Sequence, residues 1–403
     1  KCAAPRATAH LSQEYRTPAW EQRKLGQHLK LSRELGHTGV DARKLTVKLW
    51  GKGVVEKTDL YGGSAQTQYY IRHAGQFMYG KLDFLHAAFG VVPDKLDCFE
   101  STLDSPAFDI EDSSFLLNLV TQEDFYLKNG NIANGSRKAK RIHEETFLNM
   151  EIRAPELVEQ RRIGAFLDRL DSLITLHQRK YDKLCVLKKS MLDKMFPKGG
   201  SLYPEIRFAG FTDPWEQRKL ENYVVVSTTK NVDGKFGKED VLSVSGEYGV
   251  VNQITFQGRS FAGASVSNYG VVNTGDVVYT KSPLNSNPYG IIKVNKGIPG
   301  IVSTLYAIYH PRDNVYANFI QVYFEQHERM NNYMHPLVNK GAKNDMKVTA
   351  ENALKGMVTF PSREEQYVIS AFFSRLDSLI TLHQRKLELL RNIKKSMLDK
   401  MFV

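Results

Sequence analysis

The chain has 403 residues and a formal net charge of +11, and its isoelectric point of about 9.3 suits a polyanionic partner, with an inert basic surface as the alternative. Its three cysteines, Cys2, Cys98 and Cys185, form no CxxC pair, which argues against a disulfide framework or a zinc cluster and fits a reducing cytosol. No apolar run approaches the ~18 residues of a membrane span. The first residues also lack the apolar core of a signal peptide.

The first predicted element is a globular module at residues 17–154, which follows a short segment, residues 1–16, without a counterpart later in the chain. The module opens on TPAWEQRKL at residues 17–25. The pattern from Ser113 to Leu127 predicts a helix. Short β-branched and aromatic runs between Gly, Asn, Pro and Ser, clearest in the second half of the chain, predict strands.

A long helix is predicted next, within residues 155–197. Its apolar residues recur in steps of four and three, a 3.5-residue period sustained over about four heptads and typical of a coiled coil. From Pro155 to Phe196 such a helix would be about 60 Å long at about 1.5 Å per residue. A single helix of this length cannot bury its own seam. The seam consists of Ile163, Leu167, Leu170, Ile174, His177, Tyr181, Leu184, Lys188, Met191 and Met195.

The same plan then repeats. A linker at residues 198–211 leads to a second module at residues 212–360, which opens on TDPWEQRKL, and to a second long helix at residues 361–403. The segment Ile369 to Phe402 repeats Ile163 to Phe196 with 25 identities over 34 positions. The modules share only a skeleton of short motifs in the same order. We therefore predict an α+β fold of two tandem modules, each followed by a long helix, with the helices paired antiparallel and the copies related by a pseudo-twofold axis.

Two positions interrupt the otherwise apolar seam in both helices. Lys188 and Lys394 occupy one, and His177 and His383 occupy the other. Neither histidine has a cysteine or a carboxylate at metal-ligand spacing. We interpret them as paired or satisfied interface residues and not as metal ligands.

Residues outside the seam are also identical in the two helices. Helix pairing explains shared seam residues, whereas two identical partner surfaces, one per helix, would explain shared outward residues. Recent duplication is the alternative, although duplication alone would leave the modules equally alike. The candidate docking residues are Arg169, Asp171, Gln178, Arg179 and Lys180 in the first helix and Arg375, Asp377, Gln384, Arg385 and Lys386 in the second.

This plan resembles the specificity subunit of type I restriction–modification enzymes over nearly the whole chain. The resemblance rests on the two-copy arrangement, on WEQRKL in both modules, and on PELVEQ at residues 155–160, which PSREEQ replaces at residues 361–366. One departure concerns LYPEIRF at residues 202–208, which precedes the second Trp as the family expects. Nothing comparable precedes Trp20, which puts the packing of the N-terminal segment in doubt.

The resemblance implies a role and a set of partners. In that family two target-recognition domains each recognise one half of a bipartite DNA site, and the paired helices set their spacing. The implied partners are double-stranded DNA, two adenine methyltransferase (modification) subunits, and restriction subunits that join through them. No cofactor is implied for this chain, because S-adenosylmethionine belongs to the modification subunits and ATP and Mg to the restriction subunits.

Basic residues at matching places in the two modules are the candidate DNA contacts. Phosphates require positive charge, and base edges require side chains such as Lys, Arg, Asn and Gln on well-held loops. For Lys81 and Lys281, each two residues after a Tyr in a predicted strand, an ion pair that closes the module is the alternative. The Tyr residues, Tyr79 and Tyr279, are predicted to belong to the core. The candidates are Lys81, Arg137, Lys138, Lys140 and Arg141 in the first module and Lys281, Lys340, Lys343 and Lys347 in the second.

No catalytic constellation is identifiable in the sequence. The tripeptide Asn287-Pro288-Tyr289 resembles the NPPY motif of amino-methyltransferases but lacks its second Pro, and no phosphate-binding or cofactor-binding Gly-rich loop is present. We predict a binding and scaffolding subunit without catalytic residues or a metal site. The alternatives are a coiled-coil adaptor and a methyltransferase or nuclease with degenerate motifs. A methyl-transfer assay and a salt series of DNA binding distinguish them.

Overall fold

The computed structural model describes residues 20–58, 64–131, 141–281, 287–338 and 348–402. The chain divides into two compact units, one formed by Lys1–Leu176 with Leu387–Val403 and the other by His177–Lys386. Each unit therefore contains one module and a segment of both long helices. No helix in the described part of the chain is long and apolar enough to cross a membrane.

The first module combines antiparallel strands with three short helices. Two sheets, ordered β2-β10-β7-β8 and β3-β6-β9, and two strand pairs, β1-β11 and β4-β5, make up its β structure. Its strands are Glu21–Lys24 (β1), Leu29–Ser32 (β2), Leu35–Thr38 (β3), Leu45–Val47 (β4), Val54–Glu56 (β5), Gln68–Arg72 (β6), Phe77–Tyr79 (β7), Phe89–Val91 (β8), Phe99–Ser101 (β9), Ala107–Ile110 (β10) and Glu151–Ala154 (β11). Its helices are Ser113–Val120 (α1), Glu123–Gly130 (α2) and Glu144–Leu148 (α3). The long helix Leu157–Lys194 (α4) follows.

The second module repeats the four-stranded sheet and the closing strand pair of the first, but has a strand pair in place of the three-stranded sheet. Strands β13-β20-β17-β18 form its four-stranded sheet, and β12-β21, β14-β15 and β16-β19 form pairs. Its strands are Glu216–Lys219 (β12), Val224–Val226 (β13), Leu242–Ser245 (β14), Gly249–Asn252 (β15), Gly270–Val272 (β16), Val277–Thr280 (β17), Ile292–Val294 (β18), Gly300–Val302 (β19), Tyr306–Pro311 (β20) and Met357–Phe360 (β21). Its helices are Gln253–Gln257 (α5), Ala317–Phe324 (α6) and His327–Met334 (α7), and the long helix Arg363–Met401 (α8) follows.

The helix predicted from Ser113 to Leu127 is in fact two helices. The Thr121 hydroxyl donates a hydrogen bond of 2.7 Å to the Leu117 carbonyl, and Gln122 adopts an extended backbone before α2 begins. A side-chain hydroxyl that bonds a carbonyl of the last turn competes with continuation of the helix. The second module has the same interruption between α6 and α7.

Paired strands of equivalent position close both modules. Glu21 of β1 lies opposite Ala154 of β11, and Glu216 of β12 lies opposite Phe360 of β21. The motif EQRK therefore forms a strand next to the segment that leads into each long helix. The domain boundaries drawn from the sequence stay predictions.

The start of each long helix is held by a buried glutamine. Gln160 donates a side-chain hydrogen bond of 2.8 Å to the Pro155 carbonyl, and Gln366 donates one of 3.0 Å to the Pro361 carbonyl. Because both amides are buried, the chain enters each helix through a fixed turn. This contact explains the shared Pro and Gln of PELVEQ and PSREEQ.

The predicted antiparallel pairing of the long helices is confirmed within each unit. In the second unit His177 lies against His383 and Lys188 against Asp377, so the partner number falls as the first number rises. In the first unit Asp171 lies against Lys394. The seam residues Leu167, Leu170, Phe373 and Leu376 are buried.

Each long helix ends in an aromatic cluster of the module that it does not follow. In the second unit the Phe196 ring lies 5.8 Å from both Trp215 and Phe319. In the first unit the Phe402 ring lies 5.8 Å from Trp20 and 5.4 Å from Phe115. The Trp of WEQRKL thus packs against the last Phe of the other copy's helix.

Candidate nucleic-acid interface and helix surface

Most of the predicted DNA contacts fall on two loops at equivalent places in the modules. Residues Arg137, Lys138, Lys140, Lys340, Lys343 and Lys347 lie outside the described residues. Lys81, Arg141 and Lys281 are described, and the three differ in their surroundings.

Lys81 is a structural residue of the first module. Its ammonium lies 2.8 Å from the Glu144 carboxylate, and the residue is only 6% exposed. Burial alone would raise the pKa of the Glu144 carboxyl group, but the ion pair with Lys81 holds this pKa below its ordinary value. Lys81 therefore forms the ion pair that was the alternative to a DNA contact, and we do not propose it as a DNA contact.

Lys281 has different surroundings in the described part of the second module. Burial, and secondly the nearby Lys230, lower the pKa of Lys281, and in the described part of the chain no carboxylate forms an ion pair with it. Two neighbouring ammonium groups without a paired carboxylate favour an anion such as a phosphate group.

Arg141 directly follows the segment 132–140. Its Nε lies 3.4 Å from an Asp104 carboxylate oxygen, and its side chain is 38% exposed. An ion pair of this length at the surface contributes little stability and leaves the guanidinium able to exchange Asp104 for another anion.

Tyr79 and Tyr279 belong to the core, as predicted. Both are almost completely buried, and their hydroxyls donate hydrogen bonds to the carbonyls of Ile142 at 2.9 Å and Tyr289 at 2.8 Å. Burial raises the pKa of both hydroxyls. Neither ring is available to stack on a base.

Two of the predicted docking residues are used inside the helix pair. The Lys394 ammonium lies 2.6 Å from an Asp171 carboxylate oxygen, and the Lys188 ammonium lies 2.6 Å from Asp377. Each of these carboxylates flanks the seam and reaches across it, and the Asp171 and Asp377 side chains are still 49% and 39% exposed, so their part in docking stays a prediction. The Lys188 ammonium also lies 2.6 Å from a Glu325 carboxylate oxygen. Burial lowers the pKa of Lys188, but the two carboxylates outweigh this effect and raise the pKa above its ordinary value.

The other candidate docking residues mostly remain at the surface. Gln384 donates a hydrogen bond of 3.0 Å to Glu247 of its own unit, and Gln178 donates one of 3.0 Å to Asp182 of the same helix. The cationic members are exposed in both copies: Arg169, Arg179, Lys180, Arg375, Arg385 and Lys386.

The sequence reasoning missed an apolar feature on the same helices. Leu173 and its repeat equivalent Leu379 are 36% and 37% exposed, and Leu176 and Leu382 are both 45% exposed. With Arg169 these leucines follow a spacing of four and three residues, so they lie on one face of α4, as the equivalent residues do on α8. We call the set Arg169, Leu173 and Leu176, with Arg375, Leu379 and Leu382, the helix stripe. Apolar identity outside the seam was the signal that could have revealed it.

The two seam histidines are paired, as predicted. His177 Nδ1 lies 2.8 Å from His383 Nδ1, so one ring donates and the other accepts. Burial lowers the pKa of both rings, and the ammonium groups of Lys180 and Lys386 lower it further. The pair joins equivalent residues of the two copies across a local axis.

One group of three side chains in the described part of the chain has the donor atoms and spacing of a metal site. His73, Asp97 and Cys98 of the first module place their ligand atoms within 4.8 Å of one another. Sequence analysis did not identify this cluster, because His73 and Asp97 are 24 positions apart and only strand pairing brings them together.

Comparison with known proteins gives one family match and several similar folds. A family model described as "Type I restriction modification DNA specificity domain" matches residues 105–185. The S subunit of a type I restriction–modification system from M. genitalium has a similar fold, with a TM-score of 0.52, 12% sequence identity and 98% of each chain covered. The HsdS subunit from Thermoanaerobacter tengcongensis shares 16% identity over 96% of this chain and 97% of that one, with a TM-score of 0.43.

The family match runs from the last part of the first module into α4. Residues 105–185 thus match the DNA specificity domain of type I systems, and the fold of the chain is similar to that of a type I S subunit.

Proposed function

We propose that each module recognises its own half of a bipartite DNA site, and that each long helix binds one adenine methyltransferase subunit through its helix stripe. The chain itself would carry out no chemistry and bind no cofactor. S-adenosylmethionine would be supplied by the methyltransferase subunits, and ATP and Mg by restriction subunits that join through them. Acting on cellular DNA, the complex would work in the cytoplasm.

The observation that carries the docking proposal is the equal exposure of equivalent leucines. Leu176 and Leu382 are both 45% exposed although they lie on different helices in different units. Exposed apolar side chains in a repeated pattern indicate an interaction surface, and Arg at the stripe's edge adds a group that is enriched in interfaces. Two equal surfaces fit two copies of one partner.

The divergence of the modules supports the half-site proposal. Lys81 of the first module forms an ion pair with Glu144, whereas its equivalent Lys281 forms no ion pair with a described residue, and Lys230 lowers its pKa while Glu351 raises it. Modules whose four-stranded sheets have the same strand order but whose charged groups differ at equivalent places fit ligands of different base sequence.

The test replaces leucines of the helix stripe one at a time and together. The parent chain, co-expressed with the methyltransferase (modification) subunit of its own system, should carry two copies by native mass spectrometry. Leu176→Asp should carry one copy, Leu382→Asp one copy, and the double variant none. Reversing charge with Arg179→Glu and Arg385→Glu together should also reduce assembly while the fold remains intact.

Val186→Asp provides the matched control. Val186 is 69% exposed on the same helix, but its repeat equivalent is Asn392, so it lies outside any repeated surface. This variant should keep two copies. If the double leucine variant also keeps two copies, the helices do not bind the methyltransferase through the stripe.

A further inference from the structure

The ends of two paired strands in the first module bring a histidine and a cysteine together. Strands β6 and β9 pair antiparallel, with Arg72 opposite Phe99. One step beyond this pair, His73 leaves β6 and Cys98 enters β9, and the Cys98 backbone N–H donates a hydrogen bond of 2.9 Å to the Arg72 carbonyl. The side chains of positions 73 and 98 are thereby held close in space.

Asp97 adds a carboxylate between them. Its Oδ1 lies 3.3 Å from His73 Nδ1, and its Oδ2 lies 3.5 Å from Cys98 Sγ. Oδ1 also accepts a hydrogen bond of 2.9 Å from the Ala74 backbone N–H, which holds the carboxylate near the end of β6. The three ligand atoms all lie within 4.8 Å of one another.

We propose that His73, Asp97 and Cys98 form a binding site for a divalent transition metal of the zinc class. Tetrahedral zinc bonds of about 2.0 Å to nitrogen and oxygen and about 2.3 Å to sulfur put N and O about 3.3 Å apart and S and O about 3.5 Å apart. The observed separations of 3.3 Å and 3.5 Å have these lengths but run to the two different oxygens of Asp97, so the carboxylate must rotate for one oxygen to bind the ion beside both other ligands.

Glu34 supplies the outer contact that a metal-binding histidine requires. His73 Nε2 lies 2.9 Å from a Glu34 carboxylate oxygen, on the side of the ring away from Asp97 and Cys98. With the Nε2 proton donated to Glu34, the Nδ1 lone pair points toward the other two ligands. This carboxylate–histidine arrangement fixes the tautomer that binds metal and raises its basicity.

The donor set also selects the kind of ion. Thiolate and imidazole ligands favour zinc and similar transition metals over magnesium and calcium, which prefer oxygen ligands alone. Three protein ligands leave a fourth position for water. Binding would release the Cys98 thiol proton, and the His73 Nδ1 proton where that ring is charged, so affinity should rise with pH.

The second module provides an internal comparison. Strands β16 and β19 pair as β6 and β9 do, with Val272 opposite Gly300. One step beyond, the equivalent positions are Asn273 and Pro299, preceded by Ile298. None of these residues is a good zinc ligand, so the chain should bind one metal ion and not two.

The test uses the full-length untagged chain with Cys2→Ser and Cys185→Ser, which leaves Cys98 as its only thiol. After removal of metal, Zn²⁺ is titrated in competition with a chromophoric chelator, and Co²⁺ is titrated by absorbance. We expect one Zn²⁺ per chain and, with Co²⁺, a thiolate-to-cobalt charge-transfer band. Adding Cys98→Ser should abolish the band and weaken Zn²⁺ binding at least tenfold.

Two further variants separate ligation from a change in folding. Glu34→Gln keeps all three ligands and should weaken Zn²⁺ binding about tenfold through the outer contact alone. Asn273→Ala, the matched change in the second module, should change nothing. The proposal is overturned if the parent binds less than one Zn²⁺, if its Co²⁺ complex lacks the sulfur band, or if Cys98→Ser binds as tightly as the parent.

Discussion

At the scale of single residues, the seam lysines have unequal surroundings despite their equivalence in the repeat. Lys188 contacts both Asp377 and Glu325, and its side chain is 16% exposed. Lys394 contacts Asp171 and is 23% exposed. The second module therefore adds a carboxylate to one copy of the pair.

Lys188→Ala should destabilise the chain by about 1–3 kcal/mol, because it leaves Glu325 with a buried oxygen already short of a partner and Asp377 unpaired. The matched variant Lys394→Ala leaves one half-exposed carboxylate and should cost about 0–1 kcal/mol. Urea unfolding, followed by Trp215 fluorescence in a Trp20→Phe, Trp50→Phe background, measures the first effect. An equal loss of unfolding free energy in both variants would mean that the Lys188–Glu325 contact does not contribute to stability.

Arg137 and Lys138 with Lys340 and Lys343 belong to the same scale, although they lie outside the described residues. Replacing the first pair with Ala should weaken binding to one half-site, and replacing the second pair should weaken binding to the other. Each lost phosphate contact should reduce the salt slope of the assembled complex by about one. Binding of DNA with one altered half-site distinguishes the two effects, and unchanged binding in both variants would exclude these loops.

At the scale of elements, the histidine pair makes the association of the long helices sensitive to pH. Both histidines have a lowered pKa in the folded chain, chiefly from burial, and the charged groups that face them are Lys180 and Lys386. Unfolded histidines titrate near pH ~6.5. As the pH falls through that value, the unfolded chain binds protons that the folded pair does not, so stability decreases.

Replacing both residues, with His177→Asn and His383→Asn, should flatten the change in urea midpoint between pH 7.5 and pH 5.5. A control with His143→Asn and His327→Asn removes two exposed histidines outside the long helices and should keep the slope of the parent. If the variant with His177→Asn and His383→Asn keeps the change in urea midpoint of the parent, the loss of stability at low pH arises from other residues.

The elements themselves were largely predictable from the sequence. A 3.5-residue period fixed the extent of α4 and α8 to within a few residues, because periodicity reports the buried face directly. Contacts across that face were harder to predict from the sequence. Asp171 was placed outward because the period cannot show that its carboxylate reaches Lys394. The cluster of His73, Asp97 and Cys98 was invisible, since it depends on which strands pair.

At the scale of the whole molecule, the two helices must change together. Positions 171 and 188 of α4 are separated by 17 residues, as are positions 377 and 394 of α8, and these residues form the two ion pairs. Lengthening one helix alone would leave one of the pairs out of register.

We predict that four residues inserted after both Gln178 and Gln384 give an active complex whose half-sites are unchanged but further apart. Four residues add about 6 Å and rotate the seam by only some 40°. This length is close to two base-pair steps of about 3.4 Å. Two residues in each helix would rotate the seam by roughly 200° and should prevent assembly. Methylation mapping of the four-residue variant measures the gap. An active complex with the original gap would show that the helices support the modules without setting the distance between them.

The aromatic contact of Phe402 also bears on how the chain folds during its synthesis. Phe402 packs against Trp20 and Phe115, so the first unit needs residues from both ends of the chain. The second unit is continuous, His177–Lys386, and can be completed earlier. Translation therefore delivers the N-terminal module first but completes it last. A nascent chain would expose that unfinished core until Phe402 has been synthesised.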